Sequence, residues 1–315
     1  MRNFLNLMPS VSQYFCSRRD EKADPLRWRS PRRGGLRQRA IVFGFNGGQS
    51  IAQMLLCLTV VSAGVLHPNA VGAIGLTATP QAIIAQTPAN APAPLTKLLT
   101  EIDAAANRRD VKAVMAFYSQ NFTHSDGLNS QSMEKAFIQL WQRYPTLNYR
   151  TELKSWKTEG NAIIAETVTT ITGTQKQDGR ELNLKATIRS EQRFEGEKIV
   201  KQEILAEQNQ ISSGKNPPKI QVNSPEQVKV GQEYNFDAIV LEPIGNDILI
   251  GTILEEPINE KTFFKSAEVE LELLNSGGIF KVGKASATPE NQWISAVLIR
   301  QGGIAIVSVR LRVVK

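Results

Sequence analysis

The sequence predicts an α+β domain followed by an all-β sandwich, preceded by an export leader. Three observations predict this order. Apolar residues recur at helical spacing over 95–144, and the spacing changes to a period of two over 149–206. Short alternating runs separated by turn signals then continue to residue 315. Helices followed by an antiparallel meander are typical of α+β folds, and many short strands are typical of a β-sandwich.

Residues 1–85 have the composition of an export leader. They contain ten Lys and Arg but three Asp and Glu, and an apolar stretch over 54–66 precedes small residues around Ala73 and Ala85. A basic region, an apolar region and a small-residue cleavage site form the pattern of a secretory signal. The basic region is longer than in an ordinary signal peptide, so a retained anchor that tethers the protein to a membrane is the alternative.

Charge and cysteine content restrict the classes of partner and the compartment. The residues after the leader carry 27 basic and 27 acidic side chains, so the folded part has no net charge with which to attract nucleic acid. Cys16 and Cys57 both lie in the leader, which excludes disulfides and cysteine-based zinc sites from the folded part. A cysteine-free exported protein fits the periplasm or cell envelope.

The first domain is predicted over 95–209, after a Pro/Ala-rich linker over 86–94. Asp110 is expected to cap a second helix that includes Tyr118, and a loop is expected over 121–127. Ser130 or Ser132 is expected to cap a third helix. Four strands are predicted over 149–156, 162–174, 182–189 and 198–206.

This element order, together with the segment Arg108–Tyr118 and the loop Phe122-Thr-His-Ser-Asp126, resembles the nuclear transport factor 2-like superfamily, and most closely its polyketide cyclase (SnoaL-like) branch. The resemblance covers residues 95–208. It implies helices packed on a bent sheet around a conical pocket, and a dimer formed through the sheet of residues 95–209. Members include isomerases, dehydratases and hydrolases as well as proteins that only bind, so the fold alone does not assign an activity.

His124 and Asp126 are the candidate catalytic residues. In enzymes of similar fold, a His or Asp in this loop faces the pocket, and an imidazole titrates near the pH at which acid–base catalysis operates. Asp126 is close enough in sequence to orient His124. The alternative is that both are ordinary loop residues, with Asp126-Gly127 forming a turn.

Four aromatic residues are candidates to line a ligand pocket: Tyr118, Trp141, Tyr144 and Trp156. Pockets for small molecules are mostly apolar, which suits these side chains, although the same spacing is typical of an ordinary core. With one histidine and no cysteine after the leader, we expect no metal site. The sequence has no phosphate-binding loop, and we expect no cofactor.

The second domain is predicted over 218–315, after a linker over 210–217. Seven strands are expected, at 219–222, 233–240, 248–255, 267–274, 279–282, 293–300 and 304–314. The run from Pro225 to Val240 resembles the opening strands of bacterial immunoglobulin-like modules. The whole arrangement is similar to cyanobacterial envelope proteins, which would make the thylakoid lumen another compartment to consider.

The leading hypothesis is an exported, non-catalytic binding or assembly protein. Its first domain would bind a small apolar ligand or a protein partner, and its β-sandwich would serve as a docking module. The alternative is a lyase, isomerase or hydrolase acting on small molecules, with His124 and Asp126 as its acid–base pair. Whether the protein is an enzyme is left open by the sequence.

Overall fold

The computed structural model describes residues 42–43, 88, 90–177, 179–263 and 269–315. The predicted leader, apart from residues 42–43, lies outside the described residues, as does part of the predicted linker over 86–94. The helices are α1 (Ala93–Asn107), α2 (Val111–Met115), α3 (Ser130–Arg143) and α4 (Glu260–Phe263). None of the helices in the described ranges is long and apolar enough to cross a membrane.

Fifteen strands are described. They are β1 (Val42–Phe43), β2 (Tyr118–His124), β3 (Asn148–Glu159), β4 (Ala162–Gln177), β5 (Arg180–Glu195), β6 (Lys198–Gly214), β7 (Ile220–Asn223), β8 (Gln227–Lys229), β9 (Glu233–Val240), β10 (Ile250–Pro257), β11 (Val269–Glu270), β12 (Glu272–Leu273), β13 (Gly278–Lys284), β14 (Glu290–Arg300) and β15 (Gly303–Val314). The backbones of β1 and β11 pair antiparallel.

Helix α1 forms because its apolar residues recur every three or four positions, which gives it one face to bury. The buried residues are Leu95, Leu98, Leu99, Ala105 and Ala106. The helix begins at Ala93, inside the predicted linker, because proline is favourable in a first helical turn and Pro94 stands there. The Asp110 carboxylate accepts a hydrogen bond from the Ala113 backbone at 3.0 Å, which confirms the predicted cap of α2.

Two predictions near these helices are wrong. Tyr118 belongs to β2 and not to α2, and β2 occupies most of the predicted loop, because the backbone there pairs in parallel with β6. Helix α3 is capped by Asn129, which forms a reciprocal capping box with Ser132, so neither predicted serine is the cap residue. Ser132 is the third residue of α3, the position whose side chain returns a hydrogen bond to the cap.

The predicted meander is present as β3, β4, β5 and β6, each antiparallel to the next. These strands are part of a ten-stranded sheet with the order β12-β10-β14-β15-β6-β5-β4-β3, to which β2 and β8 are added beside β6 and β15. Helices α1 and α3 pack on the first-domain part of this sheet. The chain over 99–202 is therefore α+β, while the structure as a whole is rich in strands.

The predicted linker over 210–217 is mostly strand. Strand β6 continues to Gly214 and pairs with β15 from Gln208↔Val309 to Gly214↔Gly303. Burial alternates along this polar strand, with Asn209, Ile211 and Ser213 buried, because successive side chains point to opposite faces of the sheet. One continuous sheet therefore joins the two parts of the chain.

Beyond residue 215, strands lie in two layers with an apolar core between them. The three-stranded sheet β13-β9-β7 faces β10, β14 and β15 of the large sheet, and Phe236, Leu249, Ile294 and Leu311 lie between the layers. Six predicted strands occur close to their predicted positions. The strand predicted over 267–274 contains only the two-residue strands β11 and β12, and β8 was not predicted.

Helix α1 covers part of the exposed edge of β3, the last strand of the large sheet. The Asn107 amide donates to the Tyr149 carbonyl at 3.0 Å and accepts from the Tyr149 N–H at 2.7 Å. One turn earlier, Asp103 accepts from the backbone and hydroxyl of Thr151. These side chains take the place of a further strand, and an unpaired edge is otherwise a site of aggregation.

We expect Asn107→Ala to destabilise the protein by about 1–3 kcal/mol, because Tyr149 then loses backbone partners in a half-buried position. Urea unfolding measures this change. Asn121→Ala is the matched control, since Asn121 is exposed on β2, and its effect should stay within about 0.5 kcal/mol. Equal losses in both variants would show that α1 does not stabilise the edge of β3 in this way.

Candidate functional site

The structure brings His124 and Asp126 together where β2 ends. The turn is closed by a hydrogen bond from the Gly127 backbone to the His124 carbonyl, and Gly127 has a φ of 78°, which suits glycine. The Asp126 backbone N–H donates to Nδ1 of His124 at 3.1 Å, and this nitrogen lies 3.6 Å from Oδ2 of Asp126. Because Nδ1 accepts a hydrogen bond, the neutral ring carries its proton on Nε2.

A third residue, Arg310 of β15, pairs with Asp126 at two points. Nη1 donates to Oδ1 at 2.7 Å and Nη2 donates to Oδ2 at 2.9 Å. Asp126 and Arg310 are each 3% exposed, so this bidentate ion pair is buried. Asn291 adds a further donor to Oδ1 at 3.1 Å. Both oxygens of the Asp126 carboxylate are therefore occupied by donors from the C-terminal part of the chain.

Glu207 of β6 is the second carboxylate on the Arg310 guanidinium. Its Oε2 accepts from Nη2 of Arg310 at 2.8 Å, from Nε at 3.2 Å and from the Trp293 indole at 3.2 Å. Its Oε1 accepts from Asn209 at 2.8 Å. A buried cation is tolerated where carboxylates and hydrogen bonds compensate for lost hydration, and Arg310 has both.

The pKa values in this cluster follow from burial and from the shared guanidinium. Burial lowers the pKa of His124, and the charge of Arg310 acts in the same direction, against opposing effects of Asp126 and Glu207. Burial by itself would raise the pKa of Asp126, but the charge and hydrogen bonds of Arg310 hold this pKa below its ordinary value. At neutral pH the cluster therefore contains a neutral imidazole and an ionised Asp126.

This arrangement suits a structural role better than acid–base chemistry. A general base needs a free lone pair within reach of a substrate proton, whereas Asp126 is buried, with Oδ1 accepting from Arg310 and Asn291 and Oδ2 accepting from Arg310. Nδ1 of His124 is occupied as well. The assignment of His124 and Asp126 as catalytic residues stays a prediction.

The predicted ligand-lining residues occupy different places. Tyr118 and Trp141 belong to a connected set of rings in the first domain, in which Phe137 lies 6.2 Å from the Tyr118 ring and 5.2 Å from the Trp141 ring. The Trp141 indole donates to the Tyr149 hydroxyl at 2.9 Å. Of these rings, Tyr118 and Phe137 pack against the apolar core between helices and sheet.

Tyr144 and Trp156 lie elsewhere. Tyr144 follows the last residue of α3, is 1% exposed, and its hydroxyl has no hydrogen-bond partner among the described residues. Trp156 is half-buried on β3 and packs against the apolar core from the edge of the sheet. It also lines a surface groove of about 510 Å³ with Pro88, Asn90 and neighbouring residues of β3. Their role as ligand-binding residues stays a prediction.

The residues that sequence analysis missed are Arg310, Glu207, Asn291 and Trp293. One signal was available, because Arg310 stands in β15, whose residues are mostly apolar, and a buried charge in such a strand requires a partner. The identity of the partner was not available, since Asp126 lies 184 residues earlier in the chain. Glu207 falls just beyond the predicted end of its strand.

Glu256 lies on the same transverse row of the sheet as this cluster. It pairs with Trp293 of β14, which pairs with Arg310 of β15. Oε2 of Glu256 is buried and has no hydrogen-bond partner among the described residues. Burial raises the pKa of Glu256 to about 7, whereas burial lowers the pKa of His124. In mildly acidic solution the Glu256 carboxyl is therefore protonated before the His124 imidazole.

The described residues contain no group of three or more His, Cys, Asp or Glu side chains that could hold a metal ion. This observation concerns only the described ranges. The charged residues nearest the sequence-predicted site are instead paired with one another, as in the buried cluster around Arg310.

Comparison with known families divides the described chain into two matched segments. Residues 99–202 match the model of the SnoaL-like domain, and residues 215–314 match a domain of unknown function (DUF8623). No curated protein is similar enough to match this chain. The first match agrees with the α+β architecture of α1, α3 and the meander, so residues 99–202 are similar to the SnoaL-like domain in both sequence and element order.

Solved structures that resemble the chain cover about a third of it. AclR, a putative hydroxylase from Streptomyces galilaeus, is 22% identical over 37% of this chain and 77% of its own, with a TM-score of 0.27. A putative scytalone dehydratase from Novosphingobium aromaticivorans is 8% identical over 35% and 80%, with a TM-score of 0.31. Bd1075 from Bdellovibrio bacteriovorus is 16% identical over 35% and 39%, with a TM-score of 0.27, so this chain spans well under half of that protein.

We expect Arg310→Met to destabilise the protein by about 3–5 kcal/mol, because it leaves two carboxylates without their counter-charge. Arg193→Met is the matched control, since Arg193 makes two ion pairs, with Glu159 and Glu195, whose side chains are largely exposed. Exposed pairs contribute about 0–1 kcal/mol each. Chemical denaturation of both variants measures the difference, and similar losses would contradict a dominant role for the buried cluster.

Two opposing titrations are expected between pH 5 and 6.5. Burial lowers the pKa of His124, so the unfolded chain binds the extra proton and stability rises with pH, by at most about 1.4 kcal/mol per unit. Glu256 has a raised pKa, so the folded chain binds the extra proton and stability falls with pH over the same range.

Single variants separate these two effects. We expect the stability of Glu256→Gln to rise with pH between 5 and 6.5, and that of His124→Gln to fall, while the unaltered chain changes less than either. Unfolding free energies at several pH values measure the slopes. Parallel slopes for the two variants would contradict the assigned pKa directions.

Proposed function

We propose that this protein is an exported, non-catalytic binding or assembly protein. The observation that carries the proposal is the buried ion pair between Asp126 and Arg310. The acidic member of the predicted acid–base pair is engaged by a residue from another part of the chain, in a position that is 3% exposed. A carboxylate held in this way is buried and bonded at both oxygens to donors of the same chain, which disfavours its use as a base towards a substrate.

The filled interior of the first domain supports the same proposal. Tyr118, Phe137, Trp141 and Tyr149 contact one another as a packed set, and Trp141 satisfies its indole N–H on Tyr149. A small apolar ligand would have to displace these rings. A protein partner would require no such displacement, so we favour a protein partner over a small ligand.

The C-terminal region would act as the docking module. Its two layers of strands support the proposal of an immunoglobulin-like β-sandwich, although β14 and β15 also belong to the sheet of the first domain. Docking modules need a rigid surface, and the shared sheet together with the Arg310 cluster would fix this surface relative to residues 99–202.

Export rests on the composition of the leader. Basic and apolar segments followed by small residues support secretion to the periplasm or cell envelope, or to the thylakoid lumen in a cyanobacterium. Retention of the leader would tether the protein to the membrane. A homodimer through the sheet of residues 95–209 is a further proposal from the family resemblance.

Native mass spectrometry of protein purified from its own envelope fraction tests this function. We expect a chain that begins near Gln86, with no small molecule bound and with protein partners attached. A co-purified small molecule that is lost in Trp141→Ala but kept in Trp156→Ala would contradict the proposal and indicate a ligand pocket in the first domain. A chain that retains residues 1–85 would contradict cleavage of the leader.

A further inference from the structure

Strand β13 is the exposed edge of the three-stranded sheet β13-β9-β7. It pairs with β9 on one side, from Gly278↔Ile239 to Lys284↔Glu233, and with no other strand of the described ranges on its second side. Native proteins usually block such an edge with charges, bulges or a covering segment, because its free backbone groups can pair with another strand.

The hydrogen bonds at the two ends of β13 show which of its backbone groups bond to β9 and which point away from it. Val240 donates to the Gly277 carbonyl at 2.8 Å, and Ala285 donates to the Gln232 carbonyl at 2.8 Å. In an antiparallel ladder, every second residue directs its N–H and C=O towards the same neighbour. Odd-numbered residues of β13 therefore bond to β9, and the backbone groups of residues 278, 280, 282 and 284 point away from it.

The side chains of this edge are unusually apolar for exposed positions. Phe280 is 57% exposed and Val282 is 72% exposed, and both lie on the face directed away from the core. Exposed apolar residues that occur singly are ordinary. Two of them side by side on an open strand edge form an apolar surface whose burial by another molecule is favourable.

We propose that β13 pairs antiparallel with β13 of a second copy of this chain, about a two-fold axis at Lys281. In this register residue 280 of one copy is opposite residue 282 of the other, and residue 278 is opposite residue 284. These are the four residues whose backbone groups point away from β9, so one register can pair all of them. The Gly278 carbonyl also accepts from the Ser276 hydroxyl at 3.3 Å, and this hydroxyl can turn to solvent when the strands pair. Phe280 then packs against Val282 of the second copy, on both sides of the axis.

The charges at the axis are complementary. The two Lys281 side chains meet there, and a lysine on an edge strand ordinarily opposes pairing. Here Nζ of Lys281 lies 3.0 Å from Oε2 of Glu255, so each copy brings a carboxylate with its ammonium group. The two lysines and two glutamates sum to zero charge, and each ammonium can be shared between two carboxylates.

The length of the contact limits its strength. A seven-residue strand is about 24 Å long, and a contact of this size falls in the class of small interfaces that form weak or transient complexes. We therefore expect a micromolar dimer that forms a six-stranded sheet and becomes significant where the protein is concentrated.

Sedimentation equilibrium of the full chain, from nanomolar to high micromolar concentration, tests the dimer. Val282→Lys places a charge opposite Phe280 at two points and should weaken association at least about tenfold. Leu241→Lys is the matched control, since Leu241 is 56% exposed and lies outside β13, and it should leave association unchanged. A monomer at every concentration, or equal effects of the two variants, would overturn the proposal.

Cross-linking tests the register without depending on Val282. With Cys16 and Cys57 replaced by serine, Lys281→Cys should form a disulfide with its own copy across the two-fold axis under mild oxidation. Lys284→Cys should not, because its expected neighbour is Gly278 of the second copy. Efficient cross-linking at 284 with none at 281 would exclude this pairing. A complex with another protein, with no disulfide between two copies of this chain, would also overturn the proposal.

Discussion

The Arg310 guanidinium lies between two carboxylates, Asp126 and Glu207, that come from different parts of the chain. Burial of a cation is costly, and the cost is met only when both carboxylates and their neighbouring donors are in position. This requirement fixes the turn after β2 against β15 and holds β6 beside it. Trp293 and Asn291 complete the cluster, so two neighbouring strands of the C-terminal region are held against the first domain.

The same cluster engages both candidate catalytic residues of the first domain, His124 and Asp126. In this chain, Asp126 is neutralised by Arg310, and His124 is kept neutral by burial. The fold alone assigns no activity, and these hydrogen bonds support the proposed non-catalytic role of both residues.

Edge strands decide which surfaces remain for partners. At one end of the large sheet, Asn107 and Asp103 of α1 satisfy the backbone of β3 at Tyr149 and Thr151, which removes that part of the edge as a site of association. In the smaller sheet, the outer backbone groups of β13 have no such cover among the described residues, and Phe280 and Val282 are exposed beside them. Of these two edges, the outer edge of β13 is therefore the one at which we expect a partner strand to bind.

Features that depend on neighbours along the chain could be predicted from the residues alone. Helical spacing, the Asp110 cap, the meander and the closeness of His124 to Asp126 are all local, and all were predicted. Two other features depend on contacts between distant parts of the chain. Residues 210–214 extend β6 because they pair with β15, and Asp126 pairs with Arg310. Side chains 184 residues apart meet only after the sheet has assembled, and no periodicity or spacing records such a contact.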